Sequence, residues 1–489
     1  MNWIALKMLT GDRAKFFGIV MGLTFAALLI TQQGSIFCGL MLRTAGQVSD
    51  ITGADLWVMD ENVRYIDDVK PMLENNLSRV RSVEGVKWAV PLYKGNGRVK
   101  LTPESHRLIP DESSKSAPGR PRRMVREQKV DKVIEQVVLL GLDDSSMVGA
   151  PPAQRIHAGN LEDLRKPESI MVDFNRLRKL YPSEEWSLLK LHRKPAGQLT
   201  DDQRSDFMQA YGQIPIDENG LVNFYNLFLG REMEMNDHRA FIVAICEATR
   251  TFQSNPVVYT TFSRAKLFIP RERKMLSYIL VKIDQPDTAS ELSTVDRLKY
   301  LLGFSPSAAG SSFKKRLAES AGWTVSTPNA DQVARQIKVR TGLKSRTRHS
   351  FMWDTIWYYM IYTGIPINFG ITAALGFFVG TAIAGQTFYN FTLENLKQFG
   401  ALKAMGATNL RIVQMILLQA TVVGLLGYGI GVGLAALFGV STQGGELAFY
   451  TAWEVLPVTV GAIVLICILS SLLCIRKVVV LEPAIVFRG

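Results

Sequence analysis

No G-x-x-x-x-G-K-[ST] loop occurs anywhere in the 489 residues, so the chain lacks the usual backbone cradle for nucleotide phosphates. It has no G-x-S-x-G nucleophile elbow and no H-E-x-x-H zinc motif either, which removes two common hydrolase readings. Histidine is scarce, and His106, His157, His192, His238 and His349 show no metal-ligand spacing. Of four cysteines, Cys38, Cys467 and Cys474 lie in or beside apolar runs, and Cys246 stands alone mid-chain. No disulfide can therefore form within the middle of the chain, and its redox compartment is left open. The adjacent acids Asp143-Asp144, Glu184-Glu185 and Asp201-Asp202 diverge on most elements and read as solvated surface. Such a chain is not expected to be an enzyme by itself or to bind a cofactor or a metal. If ATP drives it, a partner supplies the hydrolysis.

What is abundant is apolar sequence, at 47% of residues with a mean hydropathy of +0.09. It is concentrated in four blocks, one near the N-terminus and three in the last third. Phe16–Leu42, Ile361–Gly385, Ile412–Val440 and Leu456–Ile475 are each long enough to cross a hydrocarbon layer about 30 Å thick. The expected fold class is a membrane protein with four transmembrane α-helices, one plus three. A large extracytoplasmic α+β domain separates the first two. The boundaries follow: an amphipathic interfacial helix in 1–15, with Trp3 and Leu6, and Ile4 and Met8, at helical spacing; span 1 in 16–42; the α+β domain in 43–350; a stalk and span 2 in 351–388; a short polar loop in 389–411; span 3 in 412–440; span 4 in 456–475; a tail in 476–489.

Small residues recur within the spans. Gly18 and Gly22, Gly376 and Gly380, and Gly427 and Gly431 form G-x-x-x-G pairs that let helices approach closely, as do the overlapping Gly429 and Gly433. Gln32 and Gln33, beside Thr31, are polar groups inside span 1 and are expected to face a neighbouring helix. Trp353, Trp357, Tyr358 and Tyr359 precede span 2 and suit a membrane interface.

Net charge is +12; residues 1–42 carry +2 and 351–489 carry +1, which leaves +9 on 43–350. Membrane context argues against nucleic acid as the partner of that charge. Lys7, Arg13 and Lys15 precede span 1, Lys397, Lys403 and Arg411 lie between spans 2 and 3, and Arg476 and Lys477 follow span 4. The positive-inside rule puts both termini and the 389–411 loop in the cytoplasm and the 43–350 domain outside it.

Within that domain, helical character is expected for 66–83, 292–302 and 330–343. Strands are expected at 132–142, 169–174, 238–246 and 275–283, with a strand or hairpin over 88–101 turning at Gly95-Asn96-Gly97. Thr102–Lys129, with Arg120, Arg122, Arg123 and Arg126, reads as a solvated flexible loop, and Tyr181–Arg231 is poorly patterned.

The loop between spans 2 and 3 carries the most information. Over 390–407 its spacing predicts a short helix with Leu393, Leu396 and Phe399 on one face and Glu394, Asn395, Lys397 and Gln398 elsewhere, punctuated by Gly400 and Gly406. Pattern alone leaves an ordinary interfacial loop as the simpler reading. The segment also resembles the signature loop of FtsX/MacB-type ABC transporter permeases, E-R-x-x-E-I-G-x-x-x-A-x-G-A. The matching residues are Glu394, Gly400, Ala404, Gly406 and Ala407; Asn395 replaces the family's Arg and Gln398 its second Glu. The one-plus-three layout is the family's as well. LKMLTGDRAKFFGIVMG, TGIPINFG, GQTFYNFTLENL and LEPAIVFRG are similar to the DevC-like branch.

The resemblance implies a permease subunit of an ABC exporter in a bacterial inner membrane, in contact with its lipids and working as a homodimer. A separate ATPase subunit, holding ATP and Mg, would dock on a coupling helix formed by Leu393, Glu394, Asn395, Leu396, Lys397, Gln398, Phe399, Gly400, Lys403 and Gly406. Movement would be transmitted to the periplasmic domain, which would work with a membrane-fusion adaptor and an outer-membrane channel. Two alternatives follow from the same resemblance: an FtsX-like regulator of cell-wall hydrolases that transports nothing, and a permease that extracts lipoproteins or lipids.

Overall fold

A computed structural model describes residues 2–101, 104–110, 124–128, 133–180, 189–211, 214–217, 219–268, 276–284, 328–442 and 447–479. They form two compact units, one of residues 1–42 and 359–489, the other of described residues between 43 and 358.

The first unit is helical. A helix over Asn2–Gly11 precedes span 1, Arg13–Thr44; span 2 is Ile365–Glu394, span 3 Asn409–Ser441 and span 4 Val455–Val479. All four are long and apolar enough to cross a membrane. Each apolar run carries on into flanking polar residues, since a helix does not end where hydrophobicity does. Span 2 starts where Gly364 and Pro366 interrupt the preceding helix Arg348–Tyr362, because proline offers no N–H to continue a ladder.

The glycine pairs lie at the contacts between spans. A Cβ on Gly22 would come within 2.8 Å of Ile383, and one on Gly380 within 2.4 Å of the Ala26 methyl. Gly18 faces Thr387 and Gly376 faces Leu29, so spans 1 and 2 touch along four glycines. Gly427 and Gly431 do the same for span 3, where a Cβ would meet Leu23 and Ala27 at 2.6 Å. Gly429 and Gly433 have nothing within 4 Å, so of the two overlapping pairs only one is a contact. Gln32 and Gln33 are half-buried, while the fully covered polar group beside them is Thr31, whose hydroxyl pairs with Thr459 of span 4 at 3.1 Å.

In the N-terminal helix Ala5 and Leu9 are covered by the bundle, whereas Trp3 is 71% exposed. Gln419 of span 3 is buried and donates its side-chain N–H to Ala5 O at 2.8 Å. That bond satisfies the buried amide N–H from the helix face that carries Ala5.

The second unit is α/β. In chain order its strands are β1 Leu56–Met59, β2 Val86–Leu101, β3 Glu104–Pro110, β4 Met124–Gln128, β5 Val133–Leu142, β6 Ile156–Gly159, β7 Ser169–Asp173, β8 Glu232–Met235, β9 His238–Cys246, β10 Val257–Thr261, β11 Tyr278–Ile283 and β12 Lys344–Thr347. The order β2-β5-β10-β7-β9 is completed by β8, which bonds to both β9 and β2 and closes a ring. The strands β11, β1 and β12 extend the first half of β2 as an antiparallel arm. Val99, Val137, Leu139, Met233, Met235, Ile242 and Val258 are buried in one apolar core.

Of the strand or hairpin expected over 88–101 the structure has the strand, residues 86–101; the expected turn is absent, and Gly95-Asn96-Gly97 stay extended opposite Leu139, Val138 and Val137 of β5. Tertiary pairing overrides local turn chemistry, and Gly95 is needed for another reason: a Cβ there would strike the Tyr93 hydroxyl at 2.4 Å and its ring at 2.7 Å. The helix expected over 66–83 is confined to Asn75–Arg81, since Pro71 interrupts it and Met72 instead bridges Leu276. Part of the expected loop 102–129 is the antiparallel ribbon β3–β4, in which Arg126 pairs with Leu108; Arg120, Arg122 and Arg123 lie outside the described residues, as do 292–302. The poorly patterned 181–231 contains a helix at Asp201–Tyr211 and its own small core of Leu191, Leu199, Phe207 and Val222.

Candidate coupling site

Span 2 runs to Glu394, nine residues past Gly385, where its apolar run ends. Asn395, at φ −86° and ψ 8°, breaks it, and the short helix is Leu396–Ala404. The Asn395 side chain donates to Phe391 O at 2.8 Å, and its own carbonyl accepts from Gln398 N and Phe399 N at 3.0 Å each. One residue thus terminates the span and starts the short helix. Asparagine competes for backbone partners in this way at helix ends.

The helix stops in a Schellman motif. Ala407 N donates to Leu402 O and Gly406 N to Lys403 O, both at 3.0 Å, with Gly406 at φ +93°. The glycine at the end of the signature is therefore a backbone requirement, because side chains disfavour that conformation.

The expected face of Leu393, Leu396 and Phe399 is not one face. Leu393 belongs to the end of span 2 and is 36% exposed, whereas Phe399 is fully covered. Phe399 packs in an apolar cluster with Leu9, Ile19, Phe388, Phe391 and Ile412, with Leu396 half-buried against it. Gly400 and Leu402 are buried too. Phe399 and Leu402 thus anchor the helix to the bundle, and Lys403 Nζ adds a 2.9 Å bond to Val478 O of span 4. The outward side presents Lys397, Gln398, Ala404 and Met405, continued by Leu410 and Arg411; Met405 is 75% exposed and Leu410 68%.

Glu394, the first residue of the signature, is ion-paired with Lys15 at the start of span 1. Lys15 also bonds Asp12 at 2.7 Å, and that hydrogen bond holds the Asp12 carboxyl below the usual range. The pair ties span 1 to the junction of span 2 with the short helix, so Glu394 is engaged within the chain. Beside it lies a groove of about 510 Å³ lined by Trp3, Ile4, Lys7, Met8, Gly11, Asp12, Glu394, Asn395 and Gln398. No sequence signal reported the Lys15 contact, which joins residues 379 positions apart. Among the described residues no group of three or more His, Cys, Asp or Glu is placed to hold a metal.

Residues 370–483 match the model of the FtsX-like permease C-terminal domain. Three curated sequences, one from Mycobacterium bovis and two from strains of Mycobacterium tuberculosis, are 32% identical over 119 residues and are described as uncharacterised ABC transporter permeases. The chain carries an FtsX-like permease domain. The stretch shared with those sequences is 24% of this chain and 33% of their length. Among solved structures, the extracellular domain of the noncanonic ABC-type transporter YknZ from Gram-positive bacteria covers 56% of the chain at 10% identity, with 96% of that domain aligned and a TM-score of 0.25. The periplasmic region of MacB from Actinobacillus actinomycetemcomitans covers 52% at 13% identity, with 87% of that region aligned and a TM-score of 0.25.

Proposed function

We propose that this chain is the transmembrane permease subunit of an ABC exporter and passes the movement of a separate ATPase to its α/β domain. The observation that carries the reading is the short helix Leu396–Ala404. Phe399 and Leu402 hold it to the bundle, Glu394 beside it is tied to span 1, and Lys397, Gln398 and Met405 are left open to a partner. A push on the open side is borne by spans 1 and 2 together, because four glycines keep those helices in direct contact. The basic flanks support a cytoplasmic side for this helix and both termini, and a periplasmic side for the α/β domain. ATP and Mg belong in the partner, two copies of the permease form the working unit, and a periplasmic adaptor and outer-membrane channel complete the path.

The test is affinity purification of the full chain from detergent-solubilised membranes. An ABC-type ATPase should copurify and give the complex ATP hydrolysis that the purified chain lacks. Hydrolysis by the chain alone, or a complex without an ATPase, contradicts the proposal. Recovery of a cell-wall hydrolase or its activator instead of an adaptor would replace export with hydrolase regulation.

A further inference from the structure

Glu454 stands immediately before span 4, is only 8% exposed, and has no hydrogen-bond partner on either carboxylate oxygen. A carboxylate in that position is ordinarily satisfied by the first free N–H groups of the helix it precedes. Here those donors are closed off. Val455 N donates to Ala452 O at 3.0 Å, Leu456 N donates to Trp453 O at 3.2 Å, and residue 457 is proline. The helix dipole favours a negative charge there, but it supplies no hydrogen to either oxygen.

Uncharged polar groups of span 1 lie against span 4 and the segment before it. Span 1 turns a stripe of covered hydroxyls toward span 4, with Thr31 on Thr459 at 3.1 Å and Ser35 donating to Thr451 at 3.3 Å. Gly39 extends this stripe, and a Cβ on it would meet Ala448 O at 2.6 Å, so its lack of a side chain admits the 448–454 backbone against span 1. The titratable group that faces Glu454 from span 1 is Cys38, and Tyr450 lies on its own segment. A buried carboxylate without a donor is strongly unfavourable unless a positive charge reaches it. Hydroxyl, carbonyl and carboxylate oxygens are the ligands that suit a small hard cation.

We propose that Glu454 binds a small monovalent cation, Na⁺, where the segment before span 4 meets span 1. Occupancy neutralises the buried charge and favours close packing of the two helices. The site is independent of the ATPase contact, which lies at the opposite ends of the same spans.

The experiment is thermal unfolding of the full chain in detergent, with ionic strength held constant by choline. Replacing choline with Na⁺ at pH 8 raises the midpoint by about 2 °C or more. The response is absent from Glu454→Gln, which mimics the neutralised state and is at least as stable as the parent at pH 8 without Na⁺. Glu454→Asp keeps the response, and so does Cys38→Ser. A parent and Glu454→Gln that respond identically, a parent that does not respond to Na⁺, or a Glu454→Gln chain that melts lower throughout or fails to fold would each overturn the proposal.

Discussion

Asp173, at the end of β7, is almost completely buried. Its Oδ1 accepts from Asn175 N and Ala248 N at 3.1 Å each, whereas Oδ2 has no partner. Burial outweighs those bonds and pushes the carboxyl up to about 6. The folded state therefore holds its proton to higher pH than the unfolded chain, so this stability is complete below about pH 4 and is lost as pH rises through 6. His349 works in the opposite direction. It accepts from Trp353 Nε1 at 3.0 Å, and burial lowers it to about 4, so its contribution is lost as pH falls from about 6.5 toward 4. Asp173→Asn should remove the loss on the alkaline side and raise stability at pH 7.5 by on the order of 2 kcal/mol. Urea unfolding of the parent and variant at pH 4.5 and 7.5 checks this; equal differences at the two pH values would mean that the carboxyl does not titrate in that window.

At the scale of elements, the glycines separate contact from open surface. Gly380→Ile puts a branched side chain where a single Cβ already comes within 2.4 Å of Ala26, and should cost roughly 1–3 kcal/mol or more in overpacking. Gly433→Ile enters open space and should change stability little. Melting of the two variants in the same detergent tests the span 1–span 2 contact; comparable losses would place the two glycines in equivalent surroundings. The spans were legible in the sequence because apolar length is a direct physical requirement, and the G-x-x-x-G pairs were legible as spacing. Spacing could not say that Gly427 and Gly431 meet span 1 while Gly429 and Gly433 meet nothing. The short helix was legible as a helix, but its face was misread. Asn395 starts a new helix, so Leu393 and Phe399 do not share one periodicity. In the α/β domain, Gly95-Asn96-Gly97 has turn composition, yet its conformation is set by β5, whose sequence lies some forty residues away. The Lys15–Glu394 pair, 379 positions apart, carried no local signal at all.

For the molecule as a whole, the proposed topology, with both termini on the cytoplasmic side, is open to direct labelling. A cysteine placed at exposed Glu84 should react with a membrane-impermeant thiol reagent in intact spheroplasts, and one at exposed Asn409 only after permeabilisation. The native cysteines, buried or half-buried, should give little background. Labelling at 409 from outside would invert the arrangement. The central claim is that the Leu396–Ala404 helix receives the ATPase, and it is tested most directly by proline at two positions. Leu396 is the first residue of that helix, where proline is tolerated, whereas Ala401 is in its interior, where proline costs about 3 kcal/mol. The measurement is the amount of ATPase that copurifies with Leu396→Pro and with Ala401→Pro at matched expression. The account predicts near-parental recovery with Leu396→Pro and loss of the ATPase with Ala401→Pro, while both chains remain in the membrane; full recovery with Ala401→Pro would contradict it.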